Sequence, residues 1–404
     1  MIDFEIAPLT QDLIKQSQKN ALANRETSRY YDEYEHEHDD LRDDHAQVAL
    51  EQQKTLAAIR ANPDSKKAEK PRIGQVILTM MAGGGGGIPA GGRARREAGQ
   101  QNRGFGLGNA AISAAATEDQ KAQFGNLFAA MAITEPCCGS DTASIQTTAK
   151  LDEETNEWLL NGEKIFVTSG VYCEAVVIWA SLDRSKGRPA IKSFVVEKDR
   201  PGITVAKREK KLGIRSSDTA VIILEDCRVP YDHILGSPEI VKKKGGFRGV
   251  MATFDATRPG VAAGAINNAR ASLAFTREKL EEAGCTFPYD KGQHELSAIQ
   301  KDILDMEALV EASSFLVMRA AALMDERKPN NMEASAAKAK AGKMASIVCQ
   351  KCVDILGPLG YSRAWPSEKW MRDCKISDLY EGTGQINTLI VARRILGFNR
   401  DQLK

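Results

Sequence analysis

A double change of hydrophobic period constrains this chain more than any other feature. Up to about residue 70 it is rich in Glu, Gln, Asp, Lys and Ala with few β-branched runs, which predicts helices. From about residue 130 to 240 the apolar residues fall instead into short runs between turn residues. Residues 175–180, 193–197 and 220–224 predict short strands, and 157–167 predict two strands joined by an Asn161-Gly162 turn. Such strands over about a hundred residues suggest a small barrel or sandwich. Beyond Gly245 apolar residues return at three- and four-residue intervals, over 259–280, 304–324, 333–356 and 385–396. Long amphipathic helices of that kind bury their stripes as an antiparallel bundle. The expected class is therefore mainly α with a central β domain: helical over 1–130, β over 131–243, helical bundle over 244–404. At roughly 100–200 residues per domain the 404 residues have room for this division.

Composition removes several function classes. The 55 Lys plus Arg against 54 Asp plus Glu leave a formal charge of +1, which argues against neutralising nucleic-acid phosphates. No run approaches about 18 apolar residues, so no membrane span is expected. The opening Met1-Ile2-Asp3-Phe4-Glu5 lacks the basic and apolar segments of a secretory signal, and eight scattered cysteines suit a reducing, cytoplasmic setting. His36 and His38 flank Glu37, with His45 beyond, but i and i+2 positions diverge on a helix, so no metal site is expected. Gly83 to Gly87 must form a loop, without the Gly-Lys-Ser/Thr ending of a phosphate cradle. Arg93, Arg95 and Arg96 follow it, available to an anionic ligand. Cys349 and Cys352 form a Cys-x-x-Cys inside a helical pattern and read as core packing.

Specific strings then carry more weight than composition. Residues 132–141 read Ala-Ile-Thr-Glu-Pro-Cys-Cys-Gly-Ser-Asp, preceded by Thr-Glu-Asp-Gln-Lys at 117–121. Lys-Ile-Phe-Val-Thr-Ser-Gly stands at 164–170 and Lys-Leu-Gly-Ile-Arg-Ser-Ser-Asp-Thr at 211–219. Pro-Ser-Glu-Lys-Trp-Met-Arg-Asp at 366–373 runs on to Tyr-Glu-Gly-Thr-Gly-Gln-Ile at 380–386. In this order and spacing they resemble the acyl-CoA dehydrogenase family of flavoenzymes, from about Gly106 to the C-terminus. The resemblance implies an N-terminal helical domain, a β-barrel or sandwich and a C-terminal four-helix bundle. It also implies FAD, oxidation of an acyl-CoA to the trans-2-enoyl-CoA, and an electron-transfer flavoprotein as acceptor.

The same resemblance assigns roles. Glu381, in Tyr-Glu-Gly-Thr, matches the family's α-proton base; on residue type alone it reads as a helix N-terminal acid. The alternative base position of some relatives falls at Thr257, and a threonine cannot do that work. Gly382 would let backbone approach the substrate. Thr134 and Thr168 match hydroxyl donors to the flavin, Met131 to Ile133 its backbone contacts, and Phe166 the aromatic wall against its ring. Ser140 matches a contact to the CoA or flavin phosphate region. Asp255 and Arg258 match a word that grips pantetheine and props the active-site loop; without the resemblance they read as a helix-entry ion pair.

The family's FAD spans two subunits, and there this sequence departs. Thr286 and Phe287 match, but Gly284 replaces the preceding Arg; Asp354 replaces a Gln and Pro358 a Gly. Thr383 and Gln385 match the remaining contacts, with Gly384 for the usual Ser. Losing a guanidinium and adding an acid weakens pyrophosphate binding electrostatically. A homotetramer with compensating basic residues is one solution; a heteromer with a related subunit is the other. A non-catalytic partner subunit and an acyl-CoA oxidase remain as alternative functions. Cys137 and Cys138 are a further departure from the signature.

Overall fold

The computed structural model describes residues 106–240, 247–398 and 402. The helices expected before residue 70, the histidines at 36, 38 and 45, the Gly83–Gly87 run and Arg93–Arg96 lie outside the described residues.

Two short helices open the described chain, α1 (Leu107–Ala115) and α2 (Glu118–Phe124). Thr117 starts α2 with a reciprocal cap: its Oγ1 accepts from Gln120 N at 3.3 Å and its N donates to Gln120 Oε1 at 3.1 Å. Gln120 Nε2 then donates to the carbonyls of Asp232 and Ile234, which fastens α2 to the sheet that follows.

That sheet has seven strands: β1 (Ala129–Ala132), β2 (Thr148–Asp152), β3 (Glu157–Thr168), β4 (Ala175–Ser181), β5 (Ile191–Glu197), β6 (Ile203–Arg208) and β7 (Thr219–Pro230). Their order is β1-β4-β2-β3-β7-β6, with β5 along the other edge of β4. Every residue of β4 is buried, as its unbroken apolar run requires. β1 runs parallel to β4, from Ala129 opposite Ala175 to Ala132 opposite Ile178. The sheet curls at register shifts in β3 and β6.

One expectation is corrected. Residues 157–167 form a single strand, not two strands around an Asn161-Gly162 turn. Both flanks find partners on the long strand β7, Leu160 opposite Cys227 and Gly162 opposite Leu224. The side chain of Asn161 bonds across the bulge to Asp226, donating to Oδ1 at 3.0 Å and accepting from the backbone N at 2.8 Å. Gly162 serves close approach: a Cβ there would overlap Thr147.

The C-terminal part is helical: α3 (Phe247–Glu282), α4 (Ala298–Asp325), α5 (Asn331–Tyr361), α6 (Ser367–Cys374) and α7 (Gly384–Leu396). α5 is central and packs against the other four. Alanines on α3 and α5, among them Ala262, Ala269, Ala337 and Ala345, are buried and let the helices approach closely. Cys349 and Cys352 are fully buried in this core, as expected for packing residues. α3 contains Pro259, which has no N–H for the carbonyl of Asp255. Asn330 Nδ2 donates to that carbonyl at 3.3 Å.

Sheet and bundle are joined at two places. Phe254 of α3 shares an apolar cluster with Ile112 of α1 and with Ala129, Ile133 and Trp179 of the sheet. On the other side Arg372 Nη1 donates to Leu212 O at 3.1 Å, and Asp373 Oδ1 accepts from Ile214 N at 2.6 Å. Gly213 lies against the backbone of Arg372 and Asp373, where a side chain has no room.

Candidate active site

The structure gathers Asp255, Thr257, Arg258, Glu381 and Gly382 around the start of α3 and the segment leading into α7. Glu381 and Gly382 are consecutive left-handed residues, with φ of 57° and 86°. Glycine adopts this conformation freely, whereas for glutamate it is strained. Strain persists only where the surroundings over-determine it, and here they do. Arg258 Nε donates to Glu381 O at 3.2 Å; Lys338 Nζ and Asn387 Nδ2 donate to Gly382 O at 2.5 and 2.8 Å. Thr383 then caps α7, its Oγ1 accepting from Ile386 N at 3.3 Å.

The Glu381 side chain is turned inward, only 9% of the residue being exposed. Thr257 Oγ1 donates to its Oε2 at 2.7 Å. Burial pushes the Glu381 pKa above the usual carboxylate range, opposed by the Thr257 hydrogen bond and the charges of Arg258 and Lys338. Thr257 thus orients the carboxyl group. Asp255 and Arg258 are more than a helix-entry pair. Their own contact is 3.4 Å, while Arg258, 3% exposed, also reaches Ser335 Oγ at 3.2 Å and stacks on Phe254. Asp255 Oδ1 accepts from Asn331 Nδ2 at 2.8 Å.

Lys338 was not anticipated among the site residues. Its signal was present: it falls on the same face of α5 as Ala334, Ala337, Ala341 and Ala345, a position where a lysine is out of place. It is 1% exposed, and burial lowers its ammonium pKa to about 8. Lys338→Gln is expected to cost about 1.5–3 kcal/mol, as for a hydrogen bond to a charged group, measured by urea unfolding. It also removes a charge that lowers the Glu381 pKa, so the acid limb of any Glu381-dependent rate shifts to higher pH.

A second group lies where β1 ends beside β3. Met131 is half-buried, Ile133 buried and Thr134 half-buried. Ile165 N donates to Thr134 O at 2.9 Å. The next residue, Phe166, occupies the β3 bulge with φ 56°, and its ring is 61% exposed. Bulges re-aim side chains, and this one leaves the Phe166 side chain exposed. Thr168, half-buried, stands two residues on. The hydroxyls of Thr134, Ser140 and Thr168 make no hydrogen bond with another described residue. An exposed aromatic ring on a strand that also carries Thr168 and bonds the Thr134 backbone through Ile165 suits a flat heteroaromatic group with hydrogen-bonding edges.

Thr286 and Phe287 are not brought to either group. They follow the far end of α3, about 36 Å from Arg258 at 1.5 Å per helical residue. Thr286 is exposed, and Phe287 is packed in the bundle core beneath Arg277. Gln385 is exposed on the first turn of α7. The departures have local structural reasons. Gly284 has φ 85° and ends α3, where an arginine would be strained. Gly357, with φ 59° and ψ −137°, and Pro358 kink α5.

Glu135 and Lys164 form a buried ion pair at 2.7 Å, their side chains 2% and 0% exposed. Glu135 also accepts from Thr147 N, Thr147 Oγ1 and Gln146 N. Lys164 Nζ reaches Ile133 O at 3.3 Å, which ties the Thr134 segment to β3.

Comparison with known proteins agrees with this arrangement. Residues 130–227 match the family model for the acyl-CoA dehydrogenase middle domain and 244–396 that for its C-terminal domain. The chain is 37% identical over 279 residues to the mitochondrial short-chain specific acyl-CoA dehydrogenase of Rattus norvegicus, covering 67% of this chain and 64% of that enzyme. It is 36% identical over 286 residues to the acryloyl-CoA reductase (NADH) of Anaerotignum propionicum, covering 69% and 71%. Butyryl-CoA dehydrogenase from Megasphaera elsdenii superimposes with a TM-score of 0.64 at 34% identity, covering 72% of this chain and 75% of that one. The match thus spans slightly under two thirds of the rat enzyme. With both family models matched in order and relatives above 30% identity over most of their length, the chain belongs to the acyl-CoA dehydrogenase family.

Proposed function

We propose that this protein is an FAD-dependent acyl-CoA dehydrogenase acting on short acyl-CoA thioesters, with Glu381 as the α-proton base. The observation that carries the proposal is the buried Glu381 carboxyl, held by Thr257 at 2.7 Å in an over-determined left-handed turn. Taking a proton from a carbon α to a thioester needs a strong base in a dry place, and burial supplies both. Arg258, Lys338 and Asn387 hold the carbonyls of residues 381 and 382, which fixes the Glu381 N–H as donor to the thioester oxygen where charge develops. Asp255 braces Arg258 from behind, and Gly382 leaves room for the acyl chain.

Met131, Ile133, Thr134, Ser140, Phe166 and Thr168 would hold the flavin ring and its polar edges. Thr286, Phe287, Thr383 and Gln385 would reach a neighbour's cofactor in a homotetramer, an arrangement supported by the length of α3 that separates 286–287 from this chain's own site. Bound FAD supplies the acceptor for the β-hydrogen as hydride, and an electron-transfer flavoprotein is the expected recipient of the electrons. Among the described residues no helix is long and apolar enough to cross a membrane. All eight cysteines are free, which supports a reducing compartment.

The test is anaerobic mixing of the purified protein with straight, branched, cyclic and dicarboxylic acyl-CoAs. Loss of flavin absorbance is expected with short straight chains foremost; no loss with any of the panel overturns the proposal. Gly284, Asp354 and Pro358 favour one second reading, a half-site subunit of a heteromer. A chain that purifies alone without flavin, and gains it only with a related subunit, would establish that reading.

A further inference from the structure

Cys137 and Cys138, which the family resemblance leaves unused, stand at the tip of the turn after Thr134. Glu135 and Cys138 close this turn with two backbone hydrogen bonds, Glu135 N to Cys138 O at 3.0 Å and Cys138 N to Glu135 O at 3.1 Å, with Pro136 inside it. The turn is therefore stiff. Cys137 is exposed, whereas Glu135 and Cys138 are buried. The two sulfurs are 3.9 Å apart, and Glu135 Oε2 is 4.0 Å from Cys137 Sγ and 3.8 Å from Cys138 Sγ.

These three atoms form a nearly equilateral triangle. For zinc bonds of about 2.3 Å to sulfur and about 2.0 Å to oxygen, a tetrahedral site has edges of about 3.8 Å (S to S) and about 3.5 Å (S to O). The S to S edge matches such a face closely, the S to O edges exceed it by up to about 0.5 Å, and Cys137 is exposed to solvent. Charge also balances. Two thiolates neutralise a divalent cation, and Glu135 is already neutralised by Lys164, so loading the site buries no net charge. The side chain of Glu135 is held from behind by Lys164, Thr147 and Gln146, as metal-binding carboxylates are.

We propose that Cys137, Cys138 and Glu135 bind one thiophilic divalent cation of the Zn2+ class, with water as fourth ligand, next to the Thr134 and Ser140 edge of the flavin region. On loading, each thiol gives up its proton to solvent and forms one sulfur–metal bond; nothing is oxidised or reduced.

Co2+ titration of the purified full-length protein, flavin included, is the test. One Co2+ per chain is expected, with the strong red ligand-field bands of a tetrahedral thiolate site, removed by equimolar Zn2+. Cys137→Ser changes an exposed residue and should weaken Co2+ binding at least tenfold, whereas Cys285→Ser should leave it unchanged. Cys138→Ser, with folding checked by circular dichroism, should also abolish the bands. Absence of the bands in the natural protein, their appearance in Cys137→Ser at unchanged Co2+ affinity, or their loss in Cys285→Ser overturns the proposal.

Discussion

Glu381→Gln is expected to retain flavin and bind acyl-CoA yet be reduced by it about 10²–10⁴-fold more slowly, the range general base catalysis contributes. Glutamine keeps the shape and still accepts from Thr257 Oγ1, so the left-handed turn and its grips from Arg258, Lys338 and Asn387 should persist. Only the proton acceptor is lost. Stopped-flow absorbance under anaerobic conditions measures the rate, and full-speed reduction by the variant would refute Glu381 as the base. The same substitution has a stability signature. The folded-state pKa of Glu381 is raised, so the native protein binds this proton more tightly than the unfolded chain does. Its favourable contribution is present below the ordinary carboxylate pKa and is lost as pH climbs through the window up to the raised value. Glu381→Gln escapes that loss, so its melting temperature relative to the natural protein should rise across that window. Calorimetry at a series of pH values reads the difference, and an opposite slope would show the ionised carboxylate to be better stabilised folded than unfolded.

Lys164→Met is expected to destabilise the protein by about 3–5 kcal/mol, the cost of stranding a buried charge. Glu135 would lose its ammonium partner at 2.7 Å while remaining buried between β1 and β3. Burial pushes the Glu135 pKa up, but Lys164, Thr147 and Gln146 together hold it below the usual value. With the sign worked out, this carboxylate stabilises the fold above its ordinary pKa, and that contribution fades as pH falls through the depressed one. The double variant Glu135→Gln, Lys164→Met should cost less than the sum of the two single variants. Strict additivity in urea unfolding would mean that the two groups are not coupled. Because Lys164 also bonds Ile133 O, the single variant should loosen the segment bearing Thr134 and lower flavin retention.

Much of the fold could be read from the chain because hydrophobic period reports which face is buried. The six-residue apolar run of β4 and the three- and four-residue spacing on α4 and α5 each have one good burial solution. The Asn161-Gly162 pair misled for a physical reason. Its residues favour a turn locally, but a long neighbouring strand was available to pair both flanks, and Gly162 was needed for contact with Thr147. Among the site residues Glu381, Arg258 and Thr257 were legible as words in a resemblance, though no spacing in the sequence brings residue 257 beside 381. Lys338 was legible only as an anomaly, a charge on an alanine face.

By itself the sequence determined that a β part is followed by a helical one, because local periodicity is a property of neighbours in the chain. It also supplied the residue types proposed as base, donors and flat apolar wall. Tertiary structure alone decided that Thr257 orients Glu381 and that Lys338 and Arg258 hold its backbone. It alone placed Cys137 and Cys138 in a triangle with an already neutralised Glu135. Those relations depend on distances between segments up to 124 residues apart. Packing of α3, α5 and α7 sets such distances, and no local pattern encodes them.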